Sequence, residues 1–404
     1  MSLQSGLLGG SAGGSAGGSA GGSAGGSAGG SAGVPVMGDI FASSLFCEAL
    51  DRTRGAIIDM NQREPQWSLG DPTDLKQFSL QKRIRRWDPW VRSCLASQEL
   101  IGRVKFTIGH GANGALRSVL ATFYDDGTEN NVPGVTLIRP PQETFERQLD
   151  LVLSYAELRE ERAAEILAQI DNQHAFWGTL IPIQTDRLRY TRELIDAMIQ
   201  FAVFVEMKFK HELACWRPSD YSSQVQPMIT TPGHSSMPSG HCTQAFAVVE
   251  VLKCLLKSTG RRDESGAFQS FNLQLERLAA RIATNRVVAG LHFPIDNVAG
   301  RLLGTVLGEY FSFICKGRPE SLGPWRYGKF NGAEYPGNDD FDPFSQPLLT
   351  ENDPKLQGDH STKRVSYYEL KEREGAKPPT DDTMLSVLWE LAAQECSDLN
   401  WVFT

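Results

Sequence analysis

From Glu143 to Phe313, apolar residues recur at three- and four-residue steps, the period of helices that bury one face. Between Glu143 and Ile170 the stripe runs through Phe145, Leu149, Val152, Tyr155, Leu158, Ile166 and Leu167, with Pro140 and Pro141 just before it, so one long amphipathic helix is expected. A second is expected from about Asp186 through Tyr190, Leu194 and Met198 to Met207, apolar enough between Phe201 and Val205 to belong inside a bundle. Further helices fit Ser239 to Leu256, Leu273 to about Val288, Asp296 to about Phe313, and Asp382 to Glu395, with Ser239 and Asp296 as plausible caps. Period-two alternation is scarce, and Val132 to Ile138 is at best one short strand. The expected fold class is mainly α, a helical bundle with long irregular loops.

Residues 1–33 stand apart. They contain 14 of the 39 glycines and six successive GGSA units from Gly9 to Ala32, without a charge or a side chain able to form a core. That segment reads as a flexible linker or tag, or a native low-complexity extension, and carries no fold. The rest divides into an N-terminal segment packing on the bundle (34–142), a catalytic helical bundle (143–315), and a loop-rich segment ending in a helix (316–404). Long Pro-, Gly- and Asp-rich loops after Gly317 leave room for a subunit interface, hence the expectation of a homo-oligomer.

Charge excludes some functions. Forty Lys+Arg against 48 Asp+Glu give a net charge of −8, which offers nucleic acid and anionic membranes no basic surface. The most apolar stretches, Ile199 to Met207 and Leu302 to Cys315, contain Gln200, Glu206 or Glu309, and neither reaches the roughly 18 apolar residues of a membrane span. The start has no basic region ahead of an apolar one, so no signal peptide is recognised. Seven scattered cysteines without CxxC spacing suit a reduced, cytoplasmic or otherwise soluble protein, with Cys215 and Cys242 as packing residues.

Three clusters interrupt the apolar helices with charge. Lys210 stands seven residues, two helical turns, before Arg217-Pro218 at the end of the second long helix, so both are expected to project from nearly one face. Pro238-Ser239-Gly240-His241 opens an apolar helix, whose free N–H groups favour an anion that Gly240 lets come close. In the third cluster Arg286 precedes a helix end near Gly290, then come His292, the helix-breaking Pro294, and Asp296 at the next helix start. Singly, each has an ordinary explanation: a solvated face, an N-cap, a hydrogen-bonded core histidine. Together they describe a pocket with about three fixed positive charges, suited to a tetrahedral oxyanion.

In this order, K-x6-RP, PSGH and R-x5-H-x3-D resemble the signature shared by the type 2 phosphatidic acid phosphatase (PAP2) superfamily and the vanadium-dependent haloperoxidases. The resemblance spans residues 210–296, with helical context from about 143 to 315, and departs at Asn285, where many members have serine. It implies the helical bundle of the haloperoxidase and acid phosphatase type. It also implies that His292 bonds to vanadium or attacks phosphorus, with Asp296 orienting its ring. Lys210, Arg217, Ser239, Gly240 and Arg286 would hold the vanadate or phosphate oxygens, and His241 would face the apical oxygen as general acid or base. With vanadate as cofactor, hydrogen peroxide would form a peroxovanadate polarised by Lys210, and halide would be oxidised to hypohalous acid for an organic acceptor. With phosphate monoesters, His292 would form a phosphohistidine.

Features outside the core motifs favour the haloperoxidase branch. The absence of membrane spans disfavours the integral lipid phosphatases. His234 falls where the resemblance places a histidine in bromoperoxidases and a phenylalanine in the fungal chloroperoxidase type, so bromide is expected over chloride; its ordinary alternative is a loop histidine beside Pro232 and Gly233. Trp216 also fits the haloperoxidase pattern. The alternative activity is a soluble PAP2-type acid phosphatase.

Overall fold

A computed structural model describes residues 44–57, 79–110, 117–124, 132–170, 173–183, 187–258, 266–348 and 365–398. The GGSA segment lies outside them. Helices α1 (Ser44–Ile57), α2 (Leu80–Arg86) and α3 (Pro89–Ile101) lead into strands β1 (Val104–His110), β2 (Arg117–Phe123) and β3 (Val132–Ile138). Helices α4 (Gln142–Tyr155), α5 (Arg159–Ala168), α6 (Arg189–Leu213), α7 (Gly240–Ser258), α8 (Ala267–Val288) and α9 (Pro294–Ile314) follow. Strands β4 (Arg326–Asn331) and β5 (Tyr368–Glu372) and helix α10 (Met384–Asp398) complete the order.

The centre of the bundle is the pair α7 and α9, both buried over most of their lengths. Gly300, Gly304 and Gly308 form a stripe on α9 that lets the two backbones approach. A β-carbon at Gly300 would stand 2.8 Å from the Ser239 carbonyl oxygen, and Gly304 and Gly308 back onto Thr243 and Ala247 in the same way. The close approach lets the Ser239 N–H donate to the Asp296 carbonyl at 2.9 Å, locking the starts of both helices together. Helix α6 packs against α7, α3 and α10, while α8 fills the opposite side and carries α5 on its surface.

Two expectations need correction. The stretch from Glu143 to Ile170 is not one helix: a 3-10 turn at Ala156–Leu158 separates α4 from α5. Its two sides are anchored to different partners, Tyr155 donating to Asp340 Oδ2 at 2.7 Å and Arg159 to the Val288 carbonyl at 3.0 Å. The second correction concerns strands. Val132–Ile138 is indeed a strand, but it belongs to a five-stranded sheet of order β1-β2-β3-β4-β5. The pairs β1/β2, β2/β3 and β4/β5 are antiparallel, and β3/β4 is parallel with Val135 beside Gly328.

The missed strands lack a clean alternation for physical reasons. β2 turns three of its last residues, Ala121, Thr122 and Phe123, away from solvent together, because its register shifts between Ala121 and Thr122, α6 packs on the strand and Phe123 lies on Tyr310 of α9. β1 is mostly exposed, and β5 reads YELKE, so charge hides its pattern. The sheet rests on α9 through Phe123 stacked on Tyr310 at 4.5 Å between centroids, and Tyr310 O–H donates to the Tyr124 carbonyl at 2.7 Å.

Candidate active site

Helix α6 stops one turn after Lys210, with Ala214 in the left-handed conformation at φ 49°. Arg217 therefore does not share its helical face, contrary to the two-turn spacing. It sits extended at the start of a one-turn helix, Pro218–Tyr221, its N–H donating to Asp220 Oδ2 at 2.8 Å. The two cations meet instead across the loop before α7. Buried Lys210 donates to the carbonyls of Ser235 at 3.3 Å, Ser236 at 2.9 Å and Pro238. Arg217 donates through Nε to the His234 carbonyl at 3.1 Å and through one terminal nitrogen to the Leu291 carbonyl at 2.8 Å; the other lies 3.2 Å from His234 Nδ1.

Arg286, fully buried near the end of α8, donates to the Ile166 carbonyl and to Gln169 Oε1, both at 3.1 Å. Its Nε and second terminal nitrogen are buried without a partner. Among the described residues, no carboxylate forms an ion pair with Lys210, Arg217 or Arg286. Burial pushes both arginines down to about 10 and lowers Lys210. Neutral carbonyls hold the three cations in place; Glu206 and Asp296 attract Lys210, and Asp296 attracts Arg217, so positive charge is in excess and Arg286 faces no carboxylate, a costly arrangement without an anion.

His292 follows the end of α8, where Gly290 takes φ 75°. Its Nδ1 lies 3.3 Å from Asp296 Oδ2 and 3.2 Å from Ser236 Oγ. The same Asp296 oxygen accepts the Ser236 hydroxyl at 2.5 Å and the Phe293 N–H at 2.9 Å. A proton on Nδ1 serves these acceptors and leaves Nε2 bearing a lone pair, the state that a ligand or nucleophile needs. Burial, then Arg217 and Lys210, hold the ring well below the usual histidine range. Burial also pushes Asp296 up to about 6, opposed by the bonds from Ser236 and Phe293. Asp296 occupies the third position of α9, closing a capping box onto Phe293, where the N-cap itself was expected.

At the start of α7 the Ser239 hydroxyl is buried and without a partner, so it does not cap the helix. His241 points its Nε2 at the Gln169 carbonyl, 2.8 Å away. A carbonyl only accepts, so Nε2 carries the proton and Nδ1 is the acceptor of the neutral ring. Burial, followed by Arg286, keeps His241 well below its ordinary range. His234 is half-buried against Arg217 and lowers His292 electrostatically, which brings it into the cluster. Trp216 is 60% exposed, edge-on to Tyr221. Cys215 and Cys242 are buried with thiols pushed up by burial, consistent with packing roles.

Three contributors were not among the expected site residues. Gln169 binds both Arg286 and His241; Ser236 shares Asp296 with His292; Glu206 lies fully buried one turn before Lys210. A polar residue on the apolar face of a helix could have flagged Glu206. Asn285 ties α8 to α5, accepting from Arg162 at 3.1 Å and donating to Glu165 at 3.1 Å, and it donates at 3.0 Å to the Gln169 Oε1 that also receives Arg286.

Residues 194–316 match the family profile of the PAP2 superfamily. This part of the chain belongs to that superfamily. Every charged member of the cluster from Lys210 to Asp296 lies in the PAP2 domain, while Ile166 and Gln169 reach it from outside the matched residues. The chain is also similar to a vanadium-dependent bromoperoxidase of Ascophyllum nodosum, 31% identical over 94 residues, which cover 19% of this chain and 17% of the relative. The match thus spans less than a fifth of that curated relative's length. Among the described residues, no group of three His, Cys, Asp or Glu side chains is placed to hold a metal ion, and no helix is long and apolar enough to cross a membrane.

Proposed function

We propose that this protein is a vanadium-dependent haloperoxidase that uses hydrogen peroxide to oxidise halide, bromide before chloride, to hypohalous acid, which then halogenates an organic acceptor. The observation that carries this reading is the buried cradle of excess positive charge around the neutral His292. Two nitrogens of Arg286 and the Ser239 hydroxyl are buried donors with no acceptor, a set that fits an oxyanion and not a bare cation. Lys210, Arg217, Ser239, Gly240 and Arg286 would hold the oxygens of vanadate, and His292 would bond to the metal through Nε2. When bound, vanadate supplies a Lewis-acidic centre that makes hydrogen peroxide an oxidant.

The chain's own groups divide the remaining work. Asp296 and Ser236 hold the His292 proton on Nδ1 and fix the ring. His241, its Nε2 proton committed to Gln169, offers Nδ1 as a base to the incoming peroxide. Lys210 places an ammonium beside the oxygens to be polarised, and His234, through Arg217, borders the side that halide approaches. The similarity to the Ascophyllum bromoperoxidase supports the bromide preference.

Acid phosphatase is the second reading, because the five-coordinate phosphoryl transition state has the shape that vanadate adopts at rest. That reaction asks His241 to protonate a leaving alcohol, whereas in the free protein its ring is neutral and its one proton is bound to a carbonyl. A bound dianion would help that ring hold a second proton, so what favours the peroxidase is the similarity to the Ascophyllum bromoperoxidase. The test is a paired assay of metal-free protein: bromination with peroxide and added vanadate, beside phosphate-ester hydrolysis without vanadate. Vanadate should restore bromination, and His292→Ala should abolish it. Hydrolysis without matching bromination would decide for the phosphatase, and near-parental bromination by His292→Ala would remove His292 from the metal.

A further inference from the structure

Glu206 is a fully buried acid to which the proposed reaction gives no task. It lies on α6 one turn before Lys210, and its carboxyl backs onto Gly240: a β-carbon on that glycine would meet Glu206 Oε1 at 2.7 Å. Oε1 accepts one hydrogen bond, from Gln244 Nε2 at 3.2 Å, and Gln244 in turn accepts from Gln173 at 3.2 Å. Oε2 is buried with no partner. Lys210 donates to three loop carbonyls and forms no ion pair with Glu206 among the described residues. One hydrogen bond and the nearby charge of Lys210 hold this carboxylate only weakly in a dry site. An oxyanion seated at Ser239 and Gly240 would add a second negative group on the far side of the same backbone.

We propose that Glu206 is the proton acceptor that accompanies anion binding: as a tetrahedral dianion enters, Glu206 takes one proton from solvent at its unpartnered Oε2 and becomes a neutral acid, leaving the charge of Lys210 to the anion. The inference rests on the oxyanion reading above. Only an O–H bond forms, and the buffer loses the proton. Lys210, on the same helix, favours the ionised acid; on α7, Gln244 supplies the hydrogen bond and Cys242 is held neutral by burial. Arg217 and, from α9, Asp296 act on Lys210. Burial already pushes Glu206 up to about 7 without an anion, and an anion pushes the same way.

The probe is molybdate, a tetrahedral dianion with no proton of its own to gain near neutral pH, titrated into metal-free full-length protein at about pH 7.5. Calorimetry in two buffers of different ionisation enthalpy should count close to one proton taken up per molybdate. Infrared difference spectra should gain a carboxylic-acid C=O band on binding. Glu206→Gln, the neutral analogue of the protonated acid, should bind molybdate at least as tightly while losing both the uptake and the band. Glu206→Asp should shift the band, which keeps the assignment testable where the glutamine variant does not fold. Undiminished uptake in Glu206→Gln would assign the proton to Lys210 or a histidine and overturn the proposal, as would binding by the parent with no uptake. Failure of both molybdate and vanadate to bind would reject the oxyanion reading itself.

Discussion

The molecule buries arginines in two ways. Where α9 meets the sheet, Glu309 accepts from Arg326 through its backbone N–H at 2.8 Å, Nε at 3.0 Å and a terminal nitrogen at 2.7 Å, with Arg318 3.6 Å away. Arg318 also donates to the carbonyls of Leu322 and Gly323. At the other end of α9, Arg286 and Arg217 are as deeply buried and meet carbonyls and an amide, but no carboxylate. The first cluster is complete as it stands and fastens a strand to a helix. The second has fewer negative groups than cations, and a PAP2 domain with an excess of buried positive charge is prepared for an anion that arrives from outside.

Breaking the complete cluster should cost the most. Glu309→Gln leaves two arginines beside a group that no longer neutralises them, and about 3 kcal/mol of stability should be lost in denaturant unfolding of the metal-free protein. A loss below about 1 kcal/mol would mean that solvent already screens the pair. Arg286→Met should behave oppositely, removing an uncompensated buried charge and leaving the free protein as stable or more so. What it should lose is stabilisation by vanadate, which for an intact site at a hundredfold excess over Kd is about 2.7 kcal/mol. Thermal unfolding with and without vanadate reads this directly, and equal stabilisation of parent and variant would undo the contrast between the clusters. The smallest effect is expected at the rim. His234→Ala should slow bromide oxidation more than tenfold, about 1.4 kcal/mol in the barrier, while changing vanadate affinity less. Superimposable bromide kinetics for parent and variant across about pH 5 to 8 would make His234 a loop residue.

The charged half of the site was readable because a lysine or arginine inside an apolar helix demands a reason, as Lys210 and Arg286 do, and because His292 and Asp296 break an apolar run four residues apart. The relation between Lys210 and Arg217 was misread, since nothing before Pro218 announces that α6 ends at Leu213; Ala214 enters the left-handed region without a glycine. Gln169 and Ser236 were invisible for another reason. Uncharged polar residues at a helix end or in a loop are commonplace, and only packing brings Gln169 to Arg286 and Ser236 to Asp296. Helices α7 and α9 were legible from periodicity alone, whereas the sheet joins strands that are too buried, too charged or too distant in the chain for period two to show.

That distance has a consequence for how the chain is made. Val135 on β3 takes its parallel partner at Gly328, close to two hundred residues later. During synthesis, β1, β2 and β3 can form a meander as soon as they emerge, yet the outer edge of β3 stays open for roughly 10 to 40 seconds at ordinary elongation rates. Throughout that interval its unpaired N–H and C=O groups can recruit another nascent chain as readily as β4. The pairing cannot close before β4 emerges, by which time every residue of the anion site up to Asp296 has been made. Weakening that pairing should show first as a lower yield of soluble protein, with whatever does fold retaining an intact anion site.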